Sequence, residues 1–221
     1  MNFLSKLTTP CAVGIFLLSL VACSVGPKGE VTEKQAFVDS LIATMSLEAK
    51  VGEMTQLTLG AILQKENKTI IEPQHLDSSR AMEALVDYQV GSILNCGNHA
   101  HSPEKWHEFI TGIQEHAARK ASGIPVLYGV DAIHGPTYTA EAVLGPQQIG
   151  LAATWNESLV RKNAAATAEQ VAACGIPWNF SPVLDLGRDH RWPRFWETFG
   201  EDPLLASRLG VAMVEGYQNG D

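Results

Sequence analysis

The chain has no excess of basic charge: 16 Lys and Arg stand against 24 Asp and Glu, for a formal net charge of −8. A nucleic-acid-binding surface needs the opposite balance, so nucleic acid is excluded as the main partner. Low-complexity tracts and short-period repeats are also missing. Cysteine is scarce, at four residues in 221. No Cys-x-x-Cys or His-Cys spacing occurs, so no zinc-ligand pattern is present. The longest apolar run, residues 11–22 (CAVGIFLLSLVA), is too short for a comfortable membrane span. What remains is 45% hydrophobic and 18% charged, a globular composition with length for one core.

The apolar run near the N-terminus fits a signal-peptide core, with Lys6 ahead of it. It ends in Leu20-Val21-Ala22-Cys23, which resembles a bacterial lipoprotein box. In such a box the cysteine is lipidated and becomes the mature N-terminus. The resemblance implies a leader over 1–22, lipid on Cys23 and a tether over 23–30. Ser24 follows, rather than the aspartate of inner-membrane retention. The expected location is therefore extracytoplasmic, in the periplasm or on the outer membrane, with membrane contact only through that anchor. Cys96 and Cys174 remain. An oxidising compartment permits a bridge between them. Each follows an apolar run beside a glycine, the setting of a buried free thiol. His99 and His101 lie in GNHAHSPEKW, read as a solvated loop ahead of a metal site.

Helical spacing over 33–45 puts Phe37, Leu41, Ile42 and Met45 on one face. Ser46 is placed to cap a short second helix. Strands are expected within 51–59, 90–95, 125–130 and 176–186, and helices over 79–88, 103–121, 156–173 and 203–217. Ser102, Asn156 and Asp202 are the expected N-caps, with Pro103 in a first turn. Strands alternating with helices mean parallel βα units, about four of them. A closed (β/α)8 barrel takes about 250 residues. The alternatives are a small open α/β sheet or the front half of a barrel. The turn-like end at 218–221 reads as truncation.

One stretch stands out. Residues 184–202, LDLGRDHRWPRFWETFGED, hold three arginines, five carboxylates, two tryptophans and two phenylalanines. Carboxylates and guanidinium forks bind hydroxyls, and tryptophan faces cover the C–H side of a sugar ring. Asp131 follows the strand PVLYGV, and this loop follows IPWNFSPVLDL. Both lie at C-terminal strand ends, where α/β folds place ligands. The alternative role for such a loop is an ion-paired scaffold.

Four blocks, in order, now carry a resemblance: MSLEAKVGEMTQ at 45–56, GIPVLYGVDAIHG at 123–135, QIGLAAT at 148–154 and RDHRWPRFWETFGED at 188–202. Together they resemble glycoside hydrolase family 3, in the β-glucosidase and exo-β-glucanase branch. GVDAIHG sets the chain apart from N-acetylglucosaminidases with a DQEGG-like segment and from β-xylosidases with an EALHG-like block. Gly145-Pro146 stands where the family often has Phe-Pro, and Pro193 replaces the glycine of RWGR.

The resemblance implies an α/β fold, the N-terminal part of a (β/α)8 TIM-like barrel truncated at about half, over 31–221. It implies a retaining exo-glycosidase that releases glucose from non-reducing ends of β-glucosides or β-glucan oligosaccharides. An aspartate nucleophile and a glutamate acid/base do the chemistry, with no metal or organic cofactor. Asp131 matches the family's sugar-hydroxyl ligand, and Arg194 matches a second ligand of that subsite. Arg188 and Arg191 are expected in ion pairs that hold the loop, with Glu197, Glu201 and Asp202 structural. His134 and Gly135 shape the turn after Asp131. The Lys-His clamp, the nucleophile and the acid/base are expected past residue 221, so no catalytic residue is expected within this chain. The alternative is a non-catalytic sugar-binding or structural surface lipoprotein.

Overall fold

The computed structural model describes residues 32–97 and 99–218. The expected leader, Cys23, the tether and the turn at 219–221 lie outside the described residues. The chain divides at Ser40 into a short first unit and a main unit from Leu41 onward. Helix α1 (Glu33–Thr44) begins in the first unit and carries no buried residue. The helix expected there forms, but Phe37 stays 67% and Ile42 46% exposed.

The main unit runs through α2 (Leu47–Glu53), β1 (Gln56–Thr58), the short pair β2 (Lys65–Glu66) and β3 (Thr69–Ile70), and α3 (Ser78–Ala81). It continues through β4 (Ser92–Leu94), α4 (Pro103–Ala117), β5 (Leu127–Val130), α5 (Gln148–Ala152), α6 (Glu157–Ala173), β6 (Trp178–Asn179) and α7 (Pro203–Gln218). Four strands form one sheet in the order β1-β4-β5-β6. Every pairing is parallel, with Ile93 opposite both Leu57 and Tyr128, and Gly129 opposite Trp178. Parallel neighbours require crossovers, and the helices supply them. The architecture is thus mixed α/β on a parallel sheet. No described helix is long and apolar enough to cross a membrane.

Ile93, Tyr128 and Val130 are buried, and Trp106, Phe109 and Ile113 of α4 pack in the same core. The aromatic part of that core meets edge to face, with Trp106 and Tyr128 centroids 5.6 Å apart. A second core joins α6 to α7 through Val160, Ala164, Leu209, Ala212 and Met213. Gly129 is obligatory in β5, since a Cβ there would lie 2.3 Å from the Phe180 ring.

The expected caps form. Ser46 accepts from Ala49 N, Ser102 from Lys105 N and Asn156 from Leu159 N. Asp202 accepts from Leu204 N at 2.8 Å and Leu205 N at 3.0 Å. Each satisfies a backbone donor that the first helical turn leaves without a partner. Helix 103–121 stops earlier, at Ala117, and 79–88 becomes a brief α-turn continuing as a π-turn over Met82–Asp87.

The strand expected over 176–186 contributes only Trp178 and Asn179 to the ladder. Two glutamines explain how the sheet margins are finished. Gln114 donates to Val126 O at 2.7 Å and accepts from Val126 N at 3.1 Å. Gln148, fully buried, does the same for Val183 at 2.8 and 3.0 Å. Beyond Pro182, which has no N–H, a side-chain amide thus replaces a neighbouring strand.

A buried ion pair ties α2 to the turn after α4. Lys120 Nζ reaches Glu53 Oε1 at 2.7 Å, with the lysine side chain fully enclosed. Ser122 Oγ donates to the same oxygen at 3.0 Å. Neither charge was singled out by the sequence pattern.

Candidate functional site

Asp131 follows the last residue of β5 and is half-buried. Asn95 follows the last residue of the adjacent β4. Its Nδ2 donates to Asp131 Oδ2 at 2.7 Å, and Asp131 N donates to Asn95 Oδ1 at 2.9 Å. Asn95 is itself held: its N donates to Gly129 O at 3.0 Å, and Tyr128 Oη donates to its carbonyl at 2.7 Å. On the other side, Asn179 at the end of β6 accepts from Ala132 N at 3.0 Å and donates to Ala132 O at 3.2 Å. Side-chain amides therefore stitch three neighbouring strand ends together around Asp131.

The turn after Asp131 forms as expected of His134 and Gly135. Gly135 has φ +106, and a Cβ there would meet Val143 O at 2.7 Å. Gly145 N donates to His134 O at 2.7 Å, and His134 Nδ1 lies 3.1 Å from Gly145 O. Tyr138 stands close to the carboxylate. Burial, and then the charge of Asp131, push its hydroxyl pKa up.

The loop over 184–202 sorts into parts. Arg194 donates through Nε at 2.8 Å and Nη2 at 2.5 Å to Glu197 Oε2. That pairing raises the guanidinium pKa most, and the charges of Asp131 and Asp185 add to it. Arg194 therefore shares a field with Asp131, while its side chain remains 55% exposed. Glu197 is thus the partner of Arg194 within the loop. The expectation for the other arginines needs correction. Among the described residues Arg191 pairs only with Asp189, two residues away, and its side chain is 90% exposed. Such a pair contributes little to holding a loop. Arg188 makes no ion pair among the described residues. Backbone bonds and a hydroxyl do the holding instead. Gly187 N donates to Gly200 O at 2.9 Å, and buried Thr198 accepts from Gly200 N and donates to Phe195 O.

Cys96 and Cys174 are both buried and free, so the bridge left open by the sequence does not form. Burial drives the Cys96 thiol up to about 12 and raises Cys174 as well, and these thiols are inert. The solvated loop expected around the histidines is corrected at His101, which is 5% exposed. Its ring sits edge-on to Trp106 and Phe109, with centroids 5.5 and 5.0 Å away. Nε2 lies 3.1 Å from Gln74 Oε1. Among the described residues no group of three or more His, Cys, Asp or Glu is placed to hold a metal ion.

His101 makes stability acid-sensitive. Burial, then the neighbouring His99 and Lys105 charges, lower its pKa from 6.5 to about 4. The unfolded chain takes up this proton near pH 6.5 and the folded chain only near pH 4, so stability is lost as pH falls through that window. The full loss is about 3 kcal/mol. Unfolding free energies measured at pH 7 and pH 4.5 should differ less in His101→Gln than in the unsubstituted protein. An unchanged acid slope would assign the sensitivity elsewhere.

The parallel α/β sheet thus carries a held carboxylate, Asp131, at its C-terminal edge, and Arg194 lies on the next such loop. Residues 46–221 match the Glycosyl hydrolase family 3 N terminal domain, and the chain belongs to that family. It is 38% identical over 197 residues to a lysosomal beta glucosidase of Dictyostelium discoideum, covering 85% of this chain and 23% of that protein. Its fold is similar to an exo-1,3/1,4-beta-glucanase from a Pseudoalteromonas species, with TM-score 0.69 and 33% identity over 84% of this chain and 22% of that one. A mutant beta-glucosidase from Listeria innocua in complex with laminaribiose is similar at TM-score 0.62 and 30% identity, over 83% and 24% of the two chains. The chain thus spans about a quarter of the length of these relatives.

Proposed function

We propose that the gene product is an exo-acting, retaining β-glucosidase or β-glucan glucohydrolase that releases glucose from non-reducing ends, and that this chain carries part of its terminal-sugar subsite. The observation that carries the proposal is the Asp131 carboxylate. It is locked at a strand end and shares its field with Arg194. An ionised carboxylate accepts from two adjacent ring hydroxyls, and the outer edge of a guanidinium donates to a third oxygen. Exposed Trp196 stands two residues from Arg194, where an aromatic face is useful to a sugar.

The parallel strands read as the first four of an eight-stranded barrel, which leaves β1 and β6 as the strands for closure. No carboxylate of this chain is assigned as nucleophile or acid/base. Export and a lipid anchor at Cys23 complete the proposal, supported by the apolar run at 11–22 and the box at 20–23.

The test is hydrolysis by the full-length gene product of an aryl β-glucoside and of laminaribiose, followed by proton NMR. Each event should release one glucose from the non-reducing end, appearing first as the β-anomer, and from laminaribiose the leaving group is a second glucose. Glucose binding without hydrolysis would instead support a sugar-binding surface protein.

A further inference from the structure

We propose that Asn95 is the positioning residue of the subsite, fixing the Asp131 carboxylate so that one oxygen is spent on the protein and the other is presented to sugar. This rests on the function proposed above for Asp131. Asn95 is far from Asp131 in sequence, yet it bonds both the side chain and the backbone of that one residue.

The orientation of the Asn95 amide follows from its partners. Asp131 N–H is a donor only, so the amide oxygen must face it. That leaves Nδ2 against the carboxylate, where it finds Oδ2 at 2.7 Å. The reversed amide would set N–H against N–H and oxygen against carboxylate. The arrangement therefore selects one side-chain conformation of Asp131. Held geometry of this kind determines how much of a ligand contact is realised, since a misplacement of about 1 Å can cost a factor of about 100.

Asparagine suits the position for a second reason. Asn95 has φ +45, a left-handed conformation that asparagine adopts far more readily than most residues. Its backbone is pinned there by Gly129 O and the Tyr128 hydroxyl. The amide is thus delivered by a strained but fully bonded strand end.

Asn95→Asp gives the decisive variant. It keeps an oxygen for Asp131 N–H and tolerates the same backbone, but sets a carboxyl against a carboxylate. Two such groups share one proton. At acidic pH the protonated group donates to Asp131 and restores the bond. As pH rises the proton leaves and the pair repels. The other titratable groups around this pair are Tyr138, the neighbouring Cys96, His134 in the following turn, and Arg194, which is itself paired with Glu197. Tyr138 and Cys96 are both pushed up and so stay neutral.

In the full-length enzyme, kcat/KM of Asn95→Asp relative to the unsubstituted protein should be near one at the acid end of the working range. It should fall by about 10- to 100-fold toward neutral pH. Asn95→Ala should lose a similar factor without that pH dependence. A flat pH ratio for Asn95→Asp, either near one or uniformly low with an intact unfolding transition, would overturn the assignment. Asp131→Ala separates the two ideas. If it is inactive while Asn95→Asp behaves normally, the subsite stands and only the positioning role fails. If Asp131→Ala is fully active, the subsite reading itself fails.

Discussion

Asp131→Ala in the full-length gene product should lower kcat/KM on aryl β-glucosides by about a thousandfold or more, with a thermal transition close to that of the unsubstituted protein. The magnitude comes from the chemistry of the contact. A hydrogen bond to a charged group contributes about 1.5–3 kcal/mol, and the carboxylate is available to two hydroxyls. Losing about 4 kcal/mol corresponds to a factor of about a thousand. The fold should tolerate the change because Asp131 lies on the rim of the sheet and is only half-buried. The change does leave the Asn95 amide without its acceptor, but solvent reaches that edge. Asp131→Asn is the sharper control, keeping volume and removing charge, and should lose about a hundredfold. Steady-state kinetics with a melting curve for each variant decides the matter. Near-normal kcat/KM for Asp131→Ala would remove Asp131 from the subsite.

Elements whose signals lie within a few residues were legible in the sequence. Ser102, Asn156 and Asp202 cap their helices because the cap and the backbone donor it serves are two or three residues apart. The four strand positions were legible because each apolar run stops at a polar residue. Strand length was not. The retreat of β6 to two residues depends on Gln148 meeting Val183, 35 positions away. The same limit applies at the site. Asp131 and Arg194 were found through family motifs, while Asn95 lies 36 residues from Asp131 and meets it only because β4 and β5 pair in a particular parallel register. His101 looked solvated because its neighbours in sequence are polar, and it is buried by Trp106 and Phe109, brought back over it by the turn into α4. The scaffold role expected of Arg191 failed for a related reason. An arginine with an aspartate two residues away satisfies itself locally and in solvent.

The Lys120–Glu53 pair is the extreme case, since its partners are 67 residues apart. It carries the largest expected effect on stability. Lys120→Met should cost about 3–5 kcal/mol in chemical unfolding of the full-length protein, because it strands a carboxylate in a largely enclosed site. Ser122 Oγ remains to donate to Glu53, and one neutral hydroxyl does not compensate a charge. Two further measurements identify the cause. In the variant the unpaired carboxylate is destabilised in the folded state, so its pKa there rises above the unfolded value. The loss should then be full at neutral pH and shrink as acid supplies the proton. Adding Glu53→Leu to Lys120→Met removes the stranded charge and should recover most of the loss, since paired buried charges and apolar replacements of similar volume often come out nearly even. If the double variant is as unstable as the single one, the penalty comes from packing around the lysine stem, and the pair does not hold α2 to the turn after α4 through charge.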